Sequence, residues 1–260
     1  MHRIKMKRKD VRTDLIDEKK VINQKAQTNR TFEGGKVISY SYQNYDYHTI
    51  YFTDITDQDS YQIVLKEFVK ELQKIISIKK DDVFLVIGLG NEKSTPDSLG
   101  PEVINHILVT KYLFDLGEVE EGYSSVCSFV PNVTGNTGIE TSKMIQCIIK
   151  ESNASKVILI DALRANHLSR LLKTIQITNQ GISPGSGVFN DRFEISKETM
   201  GVDVVCIGVP TIVDLRSVSE KVSDNFMVTP TDIDFLIERL GLLLGEGINK
   251  TLHQKRNTTK

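Results

Sequence analysis

The sequence predicts an α/β protein: a three-layer fold with a mostly parallel sheet between helices, preceded by an N-terminal β-hairpin and an arm. Three observations lead there. DVFLVIGLG (82–90), KVILIDAL (156–163) and VDVVCIGVP (202–210) are near-continuous apolar runs, as strands buried on both faces require. Segments of helical period separate or follow them. Ahead of them, VISYSY and HTIYFTDI are rich in β-branched and aromatic residues and flank the turn formers of QNYDY, which predicts a hairpin.

Taken in order, residues 1 to about 30 are polar and lack a steady hydrophobic period, so they read as an extended arm. Its basic run of Arg3, Lys5, Lys7, Arg8 and Lys9 reads as a solvated tail. Ile63, Val64, Phe68, Leu72, Ile75 and Ile76 recur at helical spacing, with Asp59 or Ser60 as the expected cap. After the first core strand a helix is expected from about Pro101, since proline loses no hydrogen bond in a first helical turn. SVCSFVP is the second strand, followed by a helix from Gly138 to Ser152, and TIQIT is the strand between KVILIDAL and VDVVCIGVP. The last helix is expected to be capped by Thr229, opened by Pro230 and favoured by Asp232 in its first turn. Its stripe of Ile233, Leu236, Ile237, Leu240, Leu243, Leu244 and Ile248 is suited to covering a sheet.

A chain of 260 residues accommodates one large α/β domain or two small ones. With 39% hydrophobic and 26% charged residues it matches globular rather than disordered composition. A net charge of −1 argues against an overall attraction to nucleic acid or anionic membrane. Cys127, Cys147 and Cys206 lie in apolar runs without a CxxC pair and read as buried thiols of a reducing compartment. No run has the length of a membrane span, and the basic N-terminus has no apolar core behind it, so a cytoplasmic location is expected.

In open α/β sheets, sites form beyond the C-terminal ends of the strands. Here those ends supply two carboxylates, Asp97 in NEKSTPDSLGPE and Asp161 at the end of KVILI, together with several glycines. Each acid has an ordinary reading as a cap for the segment after it. The functional reading sets the two against one crevice, where neighbouring carboxylates share a proton and titrate as a pair. One then activates water while the other protonates a carbonyl oxygen, a chemistry without metal or cofactor. Competing motifs are weaker. GISPG (181–185) matches G-x-S-x-G around Ser183, but Pro184 and further glycines prolong a loop where a nucleophile elbow needs a helix. Gly88 and Gly90 begin a G-x-G that Lys93 breaks at the third glycine position. His106 and His167 follow the two acids without metal-ligand spacing.

GLGNEKSTPDSLGP, PNVTGNTGIETS, ILIDALRA, GISPGSGVFNDRFEIS, ETMGVDVVCIGVPTIVD and NFMVTPTDIDFLIE, with VRTDL near the start, resemble the blocks of the germination proteases in order. The resemblance implies an atypical aspartic endopeptidase of germinating spores, located in the spore core. It would degrade small acid-soluble spore proteins and assemble as a homotetramer. It places the catalytic pair on Asp97 and Asp161. It further implies a self-processing zymogen, with residues 1–14 as propeptide, cleavage between Asp14 and Leu15, and residues 15–260 as one protease domain. Relative to longer members, only LRSVSEKVSDNF joins Asp214 to Met227. Two other readings stand beside it. One is a metal-dependent peptidase resembling the hydrogenase-maturation proteases, with Asp97, Asp161 and a histidine as ligands. The other is an inactive relative that still binds spore proteins.

Overall fold

The computed structural model describes Leu15 and residues 28–165, 167–183, 193–215 and 226–253. Asp14, the basic run and most of GISPGSGVFNDR lie outside the described residues.

From Thr28 the described residues form an antiparallel meander of β1 (Thr28–Phe32), β2 (Gly35–Tyr42) and β3 (Tyr45–Phe52). The expected hairpin is β2–β3. Tyr42 pairs with Tyr45, and Gln43 and Asn44 both take positive φ, 50° and 68°, as a two-residue hairpin turn matched to strand twist requires. β1 was hidden in the polar arm. TNRTF has no apolar alternation, and it becomes an edge strand only by pairing with β2.

Next come α1 (Gln58–Ile75), β4 (Val83–Gly88), α2 (Leu99–Ile104), α3 (Lys111–Leu116), β5 (Ser125–Phe129), α4 (Thr134–Thr137), α5 (Thr141–Ser152) and β6 (Lys156–Ala165). They are followed by β7 (Thr174–Thr178), α6 (Lys197–Met200), β8 (Asp203–Asp214), β9 (Met227–Val228) and α7 (Ile233–Leu252). Several helix starts differ from expectation. Asp57, not Asp59 or Ser60, caps α1 by accepting the Ser60 N–H at 2.9 Å. α2 begins at Leu99, two residues before Pro101, and α5 begins at Thr141 because Gly138, at φ 69°, ends α4. The Thr229 hydroxyl donates to the Thr211 carbonyl at 2.9 Å, so it ties the chain to β8, and Asp232 is the residue before α7.

The strands form one sheet in the order β1-β2-β3-β7-β8-β6-β4-β5, with β9 added to β8. β5, β4, β6 and β8 are mutually parallel, whereas the hairpin and β7 join antiparallel. The hairpin therefore extends the main sheet instead of preceding it. Side-chain alternation divides the sheet into two faces. Phe84, Val86, Ile158, Ile160, Val205 and Ile207 pack with α1, α2 and α7 in one core. Leu85, Ile87, Val157, Leu159, Val204 and Cys206 pack with Ile145 and Ile149 of α5 and Met200 of α6 in another. This is the expected three-layer α/β arrangement. Of the three cysteines, all free, Cys206 is buried and Cys127 partly so, but Cys147 is exposed on the outer side of α5.

Between β3 and α1 the first face also holds a polar cluster. Glu71 is fully buried, with His48 Nδ1 at 2.6 Å, Lys74 Nζ at 2.7 Å and Arg30 at 3.1 Å; Arg30 also pairs with Glu67. Burial alone would raise the Glu71 pKa. Hydrogen bonds from His48 and Lys74, with their charges, outweigh it and hold the carboxyl down at about 2.

Candidate functional site

The two nominated acids come to the same end of the sheet by different routes. β4 stops at Gly88, paired with Ile160, and the Leu89 N–H still donates to the Ile160 carbonyl at 2.8 Å. Asp161 is therefore the first residue of β6 without a strand partner on the β4 side. β6 does not end there, contrary to the sequence reading. It runs on to Ala165 beside β8, which likewise continues through Pro210 to Asp214, because the two strands support each other past a register shift at Leu163/Arg164. Asp161 sits on the step where a long strand outruns a short one.

Asp97 reaches that step from the loop after β4. The chain turns back on itself, with the Asn91 N–H donating to the Asp97 carbonyl at 2.9 Å and the Asp97 N–H donating to the Ser94 carbonyl at 2.7 Å. Gly90 makes this possible. Its φ is 121°, and a Cβ there would fall on the Asp97 carbonyl oxygen. The short helical turn Thr95–Asp97 is fastened to β8 by the Thr211 hydroxyl, which donates to the Pro96 carbonyl at 2.6 Å. Both acids are half-buried.

Register fixes what faces Asp161. It pairs with Gly208 of β8, Gly208 pairs with Gln176 of β7, and Gln176 pairs with Thr49 of β3. Directly paired residues project to the same side of a sheet. Asp161 shares its side with Leu159 and Leu163, so this row belongs to the second face. Consistently, burial first and then the negative charge of Asp161 push the Cys206 thiol up. Because position 208 has no side chain, a trough about 10 Å wide, two strand spacings, separates Asp161 from Gln176.

Leu15 lies in that trough. Its side chain packs with the second core and with the Tyr40–Tyr47 stack, whose ring centroids are 4.8 Å apart. A Cβ at position 208 would come within 3.0 Å of Leu15 Cδ1. Its backbone N–H donates to Gln176 Oε1 at 3.0 Å. Gln176 is fully buried, and its Nε2 has no hydrogen-bond partner among the described residues. Sequence reasoning missed Gln176 and Gly208. TIQIT alternates a polar residue with isoleucines, a signal for one polar side of the strand but not for what that side meets.

The remaining candidates are placed elsewhere or engaged differently. His106 lies just past the C-terminal end of α2, with Nε2 at 3.1 Å from Glu102 and the Asn249 amide on its carbonyl. Among the described residues no three His, Cys, Asp or Glu side chains are grouped as metal ligands. Ser183 follows the Ile182–Ile195 bridge at the end of a loop, and the residues after it are outside the described set. No helix of the described residues is long and apolar enough to cross a membrane.

Fold and site together define an α/β protein in which Asp161, on the step where β6 outruns β4, and Asp97, in the loop after β4, lie at one end of a mostly parallel sheet beside a glycine-floored trough. Residues 2–224 match the family model described as germination protease, and the chain belongs to that family. It is 45% identical over 187 residues to a germination protease of Geobacillus sp. (strain WCH70), covering 71% of this chain and 47% of that one. It is 37% identical over 239 residues to a germination protease of Caldanaerobacter subterraneus subsp. tengcongensis, covering 75% and 74%. The chain thus spans about half the length of the Geobacillus and Bacillus relatives it matches. A NiFe hydrogenase maturation protease, HycI from Thermococcus kodakarensis KOD1, superposes with a TM-score of 0.39 at 20% identity, over 69% of this chain and 99% of that one.

Proposed function

We propose that the chain is an endopeptidase of spore germination in which Asp97 and Asp161 act as a proton-sharing pair. The ionised acid takes a proton from water, and the resulting hydroxyl adds to the scissile carbonyl carbon. The protonated acid donates to the carbonyl oxygen. Collapse of the adduct returns a proton to the nitrogen and breaks the C–N bond. Substrates are the small acid-soluble spore proteins, cut after an acidic residue and before an apolar one. The protein works as a homotetramer in the cytoplasm of the spore core. It is made as a zymogen that removes residues 1–14 at the Asp14–Leu15 bond, leaving residues 15–260 as the protease domain.

Family membership supports the protease reading. The observation that carries the chemistry is the position of Leu15, whose backbone nitrogen belongs to the proposed scissile bond and which lies in the trough bordered by Asp161. The test is Asp161→Asn and Asp97→Asn, assayed on a peptide from a small acid-soluble spore protein. Each substitution is expected to lower cleavage by about 10²–10⁴-fold, the contribution typical of a positioned acid or base. Full activity in either variant overturns the pair.

A further inference from the structure

We infer that Gln176, Gly208 and Leu163 form the subsite for the apolar side chain that follows the scissile bond, and that Leu15 occupies it in cis until the chain is cut. The inference rests on the proteolytic reading for its meaning, and on packing and hydrogen bonding for its location.

Three features make the trough a built seat. Its floor is Gly208, and a methyl group there would overlap Leu163 Cδ1 and crowd Leu15 Cδ1 at 3.0 Å. A side chain at 208 would require Leu163 and Leu15 to shift, so glycine leaves the seat open to a leucine above the sheet. Its wall is Gln176, a primary amide held at zero exposure in the middle of β7. A buried amide usually has both ends satisfied. Here Oε1 accepts the Leu15 N–H at 3.0 Å, while Nε2 has no partner among the described residues. An amide with one end on a peptide N–H and a donor left over is suited to a second peptide group, and a bound chain supplies a carbonyl oxygen. Its rim is the Tyr40–Tyr47 stack, held by the Tyr47 hydroxyl donating to Gln180 Oε1 at 2.7 Å. Asp161 borders the seat from the opposite side in the same register row.

The consequence is selectivity for an apolar residue after the cut, set by the trough, and self-occlusion before it. In hydrolysis the Asp14 carbonyl carbon gains the hydroxyl of water and the Leu15 nitrogen gains a proton. Gln176 Oε1 already accepts from that nitrogen, so Gln176 is a positioning residue that holds the leaving amine without exchanging protons.

The test uses the full chain and keeps the seat separable from catalysis. In the Asp161→Asn background, a fluorescent peptide VRTDLI is titrated with and without Leu15→Asp. Vacating the seat is expected to tighten peptide binding at least tenfold; unchanged affinity overturns the inference. In the active chain, release of the N-terminal fragment is followed by mass spectrometry. Leu15→Asp is expected to process at least tenfold more slowly than Leu15→Met; equal rates for both overturn the seat. Gly208→Ala is expected to shift the preference between peptides with Leu and Ala after the cut at least tenfold towards Ala, a change in ratio that a general folding defect does not produce. An unchanged ratio in soluble, folded Gly208→Ala counts against the seat. If the parental chain cuts nothing, the proteolytic reading falls, and the binding titration still decides the seat.

Discussion

Glu71 and Asp161 lie on opposite faces of one sheet, and their surroundings are built to opposite ends. Glu71 is enclosed by α1 and β3 and met by His48, Lys74 and Arg30, so its negative charge is fixed and its pKa is held at about 2. Asp161 is half-buried on the step between β4 and β6, and its row continues into a glycine and a neutral amide. A carboxylate ringed by cations is committed to one ionisation state and serves the fold. Asp161 instead borders a glycine floor over which Leu15 lies. Burial alone would have nominated Glu71 as the functional acid; the identity of the neighbours reverses that ranking.

The sharpest break of the comparison is Glu71→Gln. It removes the buried carboxylate charge that Lys74, Arg30 and His48 hydrogen-bond and, with Lys74 and Arg30 themselves partly solvated, is expected to destabilise the fold by about 2 kcal/mol, read as a shift in denaturant unfolding. Peptide cleavage by the folded fraction should be unchanged. Loss of cleavage without loss of stability would place Glu71 in the catalytic site and erase the distinction.

Gly90→Ala tests the other side. The backbone at φ 121° and the Asp97 carbonyl oxygen both oppose a Cβ. Displacement of the Asp97 turn is expected to lower cleavage about tenfold or more, with about 1–2 kcal/mol lost from stability, the cost of a left-handed non-glycine residue. Parental activity in this variant would show that the position of Asp97 is immaterial.

The mildest probe is pH. The folded pKa of Glu71 lies below its ordinary value of 4.5, so its contribution to stability is full above that value and falls as pH drops towards about 2. The slope cannot exceed about 1.4 kcal/mol per pH unit for one group. Urea midpoints measured between pH 6 and pH 3 should fall in the parental chain and fall less in Glu71→Gln. Identical slopes would remove Glu71 as the titrating group.

Much of this was legible in the sequence. The apolar runs of β4, β6 and β8 gave buried parallel strands because alternation disappears when both faces are covered. The Gln43–Asn44 turn was legible because few residue types tolerate positive φ. Asp97 was legible as an acid in the loop after β4, and Asp161 as the acid that breaks an apolar run, though not as a residue within a longer strand. The limits of β6 and β8 were not, since those strands continue only by pairing with each other beyond β4. β1 was not legible, because an edge strand without an apolar face has no pattern to read.

The sequence by itself determined the class of fold and, through its blocks, the family, and it nominated the two acids, because each of these readings depends on residue type at fixed local spacing. Only the tertiary structure decided that Gln176, Gly208 and Asp161 stand in one row and that Leu15 lies over it. Those residues are separated by long stretches of chain, and strand register, which no local pattern encodes, brings them together.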